Sequence, residues 1–271
     1  MIRITGMALF CAASLLAQGG GEKVNVPLHD PSSPAHVHVS LLNGGITVRG
    51  ADIRDVEVQA HSRSGEEEHD RRPPRADGMK RLDLGGNSGL DVVEDNNSVT
   101  IKTSSWNRAA DLVITVPRHS SLELKCVSDG NIYVEGVQGE IDANDLNGGI
   151  TLKNVSGSVV AHSLNGEVRV SLDRVDPSKP MSFSTLNGNI DVTLPATVKA
   201  NVRMKTDNGE IYSDFDVKLE SGTQTENTPS QREGGRYHVR FDRGLRGSIN
   251  GGGPEFQFTS FNGEIYIRKA K

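Results

Sequence analysis

Three positions after a recurring glycine stand Tyr133, Thr151, Arg169, Asp191, Tyr212 and Tyr266. One position after it stand Asn131, Gly149, Glu167, Asn189, Glu210 and Glu264. A tyrosine ring offers an apolar face and a polar tip. A row in which Tyr133, Arg169, Asp191, Tyr212 and Tyr266 share an outward face therefore has the chemistry to hold a sugar or a peptide. Strand propensity and packing on neighbours also place Tyr at such positions without any ligand. Glycoside hydrolysis needs two carboxyl groups facing one another across the scissile bond. Glu167, Asp191 and Glu210 are instead scattered among neutral neighbours, and we read no catalytic residue here. Gly86-Asn87-Ser88-Gly89 lacks the frame of a nucleophile elbow, and Gly251-Gly252-Gly253-Pro254 reads as a turn rather than a phosphate cradle. His36 and His38 share a strand face, but two ligands do not make a metal site. The stacked calcium repeat needs an aspartate that every copy here lacks. No metal and no cofactor are expected.

These residues are spaced by a repeat. Gly130/Ile132, Gly139/Ile141, Gly148/Ile150, Gly157/Val159 and Gly166/Val168 follow one another at nine-residue intervals in two alternating forms, so the unit is 18 residues. The Asn-Gly form occurs at Asn43-Gly44, Asn147-Gly148, Asn165-Gly166, Asn187-Gly188, Asn208-Gly209 and Asn262-Gly263. These pairs are read as structural turns with the backbone at positive φ; the alternative is a row of stacked amides, each bonded to the next. Around each glycine the apolar residues alternate. Leu164, Val168, Val170 and Leu172 are expected to point one way, and Asn165, Glu167, Arg169 and Ser171 the other. No useful amphipathic helical pattern is present, so the chain is all-β. Matching side chains at 18 residues (Leu146 on Leu164, Ala143 on Ala161, Val137 on Val155) favour a parallel β-solenoid with 18–22-residue turns. The alternative is an antiparallel β meander with Asn-Gly hairpins.

The chain has 271 residues, a formal charge of −5 and 4% aromatic residues, and a stacked ladder suits so few large rings. Mild acidity argues against nucleic acid as a partner. Residues 1–19 have the layout of a secretory signal peptide: Arg3, an apolar stretch too short to span a bilayer, then Ala17 and Gly19. Its removal takes away Cys11 and leaves Cys126, whose parity is that of a small buried hydrophobe. No other stretch is apolar for long enough to cross a membrane, so the mature chain is expected without a transmembrane segment. Residues 20–271 read as a single elongated solenoid domain, with long loops near 61–97 and 220–235. Asp173 to Pro180, with two prolines, should lengthen one turn.

The stretch Leu41-Leu42-Asn43-Gly44-Gly45-Ile46-Thr47-Val48-Arg49-Gly50, the 130–192 repeats and the closing Phe261-Asn262-Gly263-Glu264-Ile265-Tyr266-Ile267 resemble the domain family of unknown function 4097, labelled adhesin by analogy. They are also similar to the Gly-Ile-Asn-rich head domain of autotransporter-type adhesins. The resemblance implies an exported bacterial β-solenoid of the cell envelope, periplasmic or at the cell surface, and it supplies no catalytic residue. The expected role is a non-enzymatic binding or structural scaffold, with an envelope protein or a polysaccharide as partner and self-association through exposed strand edges open. Two alternatives stand beside it: a polysaccharide-active β-helix enzyme and an envelope-stress regulatory protein.

Overall fold

A computed structural model describes residues 21–62, 90–103, 109–128, 130–220, 232–233, 236–237 and 244–271. The expected signal peptide lies outside the described residues. In chain order the strands are β1 (Gly21–Val26), β2 (Ala35–Asn43), β3 (Ile46–Ala51), β4 (Val56–Ser62), β5 (Leu90–Asp95), β6 (Ser98–Thr103), β7 (Ala110–Pro117) and β8 (Ser120–Ser128). There follow β9 (Ile132–Glu135), β10 (Gln138–Asp145), the long β11 (Ile150–Asn165), β12 (Val168–Val175), β13 (Met181–Asn187), β14 (Ile190–Leu194), β15 (Ala200–Asn208) and β16 (Ile211–Ser213). The last are β17 (Lys218–Leu219), β18 (Arg232–Glu233), β19 (Arg236–Tyr237), β20 (Gly244–Ile249), β21 (Glu255–Asn262) and β22 (Ile265–Lys269). No helix occurs among the described residues.

The chain winds as a two-faced coil. A strand on one face reaches the Asn-Gly corner, turns, and continues as a strand on the other face. Parallel pairing on the first face runs β6, β2, β8, β10, the second half of β11, β13, β21, β15. On the second face it runs β7, β3, β9, the first half of β11, β12, β14, β22, β16. Eight coils therefore stack along one axis, about 4.8 Å apart. Two are out of chain order: β2–β3 lies between β6–β7 and β8–β9, and β21–β22 lies between β13–β14 and β15–β16. In the main sheet antiparallel pairing is confined to the ends, where β5 and β4 flank the first coil and β20 flanks the last, with β1 and β17 outside them. The meander is thereby set aside for the repeat region.

The core fills the narrow space between the faces. Ile46, Ile132, Ile150, Val168, Ile190 and Ile265 stack in one buried column, and Phe183 and Phe258 stack with ring centroids 5.2 Å apart. Branched aliphatic side chains on a pleated surface pack well against their like in the next strand. Corresponding residues lie 18 apart where the turns are short and 22 apart where Asp173 to Pro180 is inserted.

Two expectations need correction. Leu164 does not share the inward face of Val168: Ser163 and Val168 both point in, so the corner shifts the alternation by one and turns Leu164 outward. Positive φ in the Asn-Gly pairs falls on the glycine and in only three of the six, Gly44, Gly188 and Gly263, and never on the asparagine; the described non-glycine residues at positive φ are Asn96, Asn97, Asn154 and Asn250. Of the span 61–97 expected to hold a long loop, 63–89 lie outside the described residues, while β5 and its Asn96-Asn97 turn form a hairpin with β6. Of the loop expected near 220–235, 221–231 and 234–235 lie outside the described residues, and β18 near its end pairs with β19 just past it.

Candidate functional site

The alternation of the second-face strands puts every second side chain outside. The register then fixes which of these become neighbours. Thr47 pairs with Tyr133, Tyr133 with Thr151, Thr151 with Arg169, Arg169 with Asp191, Asp191 with Tyr266, and Tyr266 with Tyr212. All five candidate binding residues therefore share one column along the axis. Tyr133 stands apart, with Thr151 between it and Arg169. Its hydroxyl donates to Glu135 Oε2 at 3.1 Å, and burial followed by that hydrogen bond raises its pKa.

The other four form a contiguous group at the end of the stack. The rings of Tyr212 and Tyr266 stack at 5.2 Å with planes 10° apart, and Tyr212 is 48% exposed. Among the described residues its strand, β16, pairs with β22 alone, so one ring face is held against Tyr266 and no described residue is paired beyond the other. The Tyr212 hydroxyl donates to Glu210 Oε2, a bond that raises the phenol pKa. Arg268 lies over the Tyr266 ring at 5.1 Å and donates from Nε to Asp191 Oδ1 at 2.7 Å, which raises the guanidinium pKa. Arg169 is held two-pronged by Glu167, at 2.8 and 2.9 Å. These pairs tie the side chains to neighbours on the same face.

The corner beside this column carries two further stripes. Asn165 donates to Asn147 at 3.1 Å, Asn187 to Asn165 at 2.8 Å, Asn262 to Asn187 at 2.8 Å and Asn208 to Asn262 at 2.9 Å, all amide to amide. The row of asparagines is thus a bonded ladder. Just outside it run Val127, Leu146, Leu164, Leu186 and Phe261; Leu146 is 42%, Leu186 40% and Phe261 43% exposed. Sequence reasoning missed this ridge because the parity shift at the corner hid it, although a Leu or Phe before the asparagine recurs in plain view. It missed Arg268 because nothing in the repeat places that residue beside Asp191, 77 positions earlier.

Elsewhere, His38 is paired with Glu123 at 2.8 Å, and His36 faces the same side of β2. Among the described residues no three His, Cys, Asp or Glu side chains gather as a metal-binding group. Cys126 is buried. At the opposite turn a shallow groove of about 530 Å³ is lined by Arg174, Pro177, Pro195, Lys199 and Pro254 among others.

Residues 128–241 match the Toastrack DUF4097 family. The Toastrack stretch includes Tyr133, Arg169, Asp191 and Tyr212, while Tyr266 and Arg268 lie beyond it. The ordered end of the site is therefore assembled from the Toastrack stretch and the closing repeat together. Two solved structures are similar. One, a candidate cell adhesion protein from Clostridium sporogenes ATCC 15579, has 11% identity over 92% of this chain and 100% of that chain, with a TM-score of 0.41. The other, a candidate adhesin from Bacteroides fragilis NCTC 9343, has 12% identity over 92% of this chain and 97% of that chain, with a TM-score of 0.33. No curated protein matches the sequence.

Proposed function

We propose that the chain is a non-enzymatic binding scaffold, exported to the cell envelope, that holds a polysaccharide along its corner and second face. The observation carrying this reading is the register column that ends in the stacked Tyr212–Tyr266 pair, with one ring face open to a sugar. Parallel stripes of apolar, amide and charged side chains run along the coil axis, which suits a polymer more than a small compact ligand. Absence of catalysis is supported by the carboxylates: Glu167 is tied to Arg169, Asp191 to Arg268, and Glu210 to Tyr212. They lie side by side on one face rather than across a cleft from one another. Export is supported by the layout of residues 1–19; no helix among the described residues is long and apolar enough to cross a membrane.

Co-sedimentation of the purified chain with insoluble cell-wall and plant polysaccharides tests the reading. We expect pelleting with at least one polysaccharide, weakened about tenfold by Tyr212→Ala, a loss of about 1.4 kcal/mol. Pelleting that Tyr212→Ala and Tyr266→Ala leave unchanged would remove the site. Release of reducing ends that stops with Asp191→Asn would replace the scaffold by an enzyme.

A further inference from the structure

Beneath the Asn-Gly corner, the residue two before four of the six asparagines is a serine or threonine that points into the protein and bonds to a glycine carbonyl of the adjacent coil. Ser163 Oγ donates to Gly148 O at 2.9 Å, Thr185 Oγ1 to Gly166 O at 2.9 Å, Ser260 Oγ to Gly188 O at 3.2 Å and Thr206 Oγ1 to Gly263 O at 2.9 Å. Cys126, two before Ser128, does the same more weakly, with Sγ 3.1 Å from Gly44 O. These bonds hold each corner to the next, inside the ladder of exposed amides.

Asp145 occupies this position in the fourth coil of the stack. It is 3% exposed. Its Oδ1 accepts the Asn147 N–H at 3.1 Å, while Oδ2, shut off from solvent, completes no hydrogen bond, although the Gly148 amide lies close enough to favour the ionised carboxyl. By the pattern of the column, its partner is the carbonyl of Gly130. Gly130 O and Asp145 Oδ2 both lie within 3.0 Å of the point where a Cβ on Gly148 would stand. Two oxygens that are both acceptors repel there when the carboxyl is ionised, and a buried acceptor without a donor is costly. A proton on Oδ2 turns the repulsion into a hydrogen bond.

We infer that Asp145 is a neutral carboxylic acid in the folded protein, its Oδ2–H standing in for the Ser and Thr hydroxyls and donating to Gly130 O, so that ionisation loosens this one corner. The groups flanking Asp145 in register are Cys126 on β8 and Ser163 on β11. Lys125 and His162 on those strands, and Tyr133, Glu135 and Lys153 on the strands of the facing sheet, alternate to the outside. No described cation therefore faces the carboxyl to hold it ionised. Burial pushes its pKa up from 3.8 to about 6, against the Asn147 and Gly148 amides, which pull it down. An acid with its pKa raised by folding adds stability that is fully present below its unfolded value of 3.8. That stability is lost as pH rises towards about 6.

Urea unfolding of the whole chain and of Asp145→Ser, at about pH 5 and about pH 7.5, is the test. The hydroxyl of Asp145→Ser keeps the bond but cannot ionise. The unfolding constant of the unaltered chain, taken relative to the variant, should rise about tenfold between the two pH values. Equal pH dependence of the two proteins overturns the inference. A measurement that does not depend on the variant folding is the carboxyl carbon resonance of Asp145 in the unaltered chain. A titration midpoint near 6 supports the neutral acid, and one at or below 3.8 overturns it.

Discussion

Asn187 sits in the middle of the amide ladder, donating to Asn165 and accepting from Asn262, both at 2.8 Å. These are exposed side chains, so each bond is traded against bonds to water and contributes about 0.5–1.5 kcal/mol. Asn187→Ala removes two and should lower unfolding stability by about 1–2 kcal/mol in urea titration. No change would mean that water replaces the ladder without loss. The ladder also has a visible gap. In the third coil Ser128 stands where the second coil and the fourth to eighth have Asn, and Asn147 turns to the Val127 carbonyl at 3.1 Å instead. On the other side of the gap Asn43 Oδ1 is buried without a donor. A serine is too short to bridge the rungs, whereas an amide in its place would donate to Asn43 and accept from Asn147. Ser128→Asn should therefore stabilise the protein by about 1 kcal/mol, read in the same titration. A variant no more stable than the starting chain would show that the gap in the ladder carries no cost.

At the scale of the corner, glycine recurs for want of space more than for want of conformational freedom. A Cβ on Gly166 would meet the backbone oxygen and carbon of Gly148 and the nitrogen of Gly149, all inside 3.0 Å and none able to swing away. Gly166→Ala should accordingly cost about 3 kcal/mol, at the upper end of overpacking changes. Gly251 is the contrasting case: nothing lies within 4 Å of its Cβ position, but its φ is +91°. Gly251→Ala should cost only the strain of that conformation, about 1–2 kcal/mol. Thermal unfolding of the two variants side by side distinguishes crowding from backbone freedom; a Gly251 variant hurt as badly as the Gly166 variant would reverse the assignment. This is also where the sequence was most and least legible. The glycine spacing, the alternation and the like-on-like matches at 18 residues revealed the parallel coil and the shared column of Tyr133, Arg169, Asp191, Tyr212 and Tyr266. The direction of Leu164 and the reason for Asn-Gly were not legible, because both depend on the adjacent coil: one on how many residues the corner consumes, the other on how closely two backbones approach. Neither quantity has a local signature.

The whole molecule differs from a simple stack of repeats in the placing of its termini. Local spacing cannot show that β21–β22, last in the chain, is next to last in space, lodged between β13–β14 and β15–β16. It is this insertion that brings Tyr266 beside both Asp191 and Tyr212 and sets Arg268 against Asp191, so the candidate site exists only when the closing segment is in place. The energetics follow from the same geometry. In an ordinary solenoid, trimming the end peels away one capping repeat and leaves its neighbours intact. Here a chain ending at Pro254 loses an internal coil. Phe256, Phe258, Ile265 and Ile267 are all essentially buried. Their side chains together contribute roughly 6–12 kcal/mol of apolar burial. That is comparable to the whole stability of a typical domain, about 5–15 kcal/mol. Without them β13 and β14 present unpaired edges, Phe183 loses its stacking partner, and the coil of β15–β16 has nothing to lie on. The truncated chain should show no cooperative unfolding of its C-terminal third: amides of β15 should exchange with solvent within the dead time of a hydrogen-exchange measurement, while those of β8 and β10 remain protected. Slow exchange in β15 of the truncated chain would mean that this coil can close directly onto β13, and the interleaved order would then be a convenience of the closing segment rather than a condition of the fold.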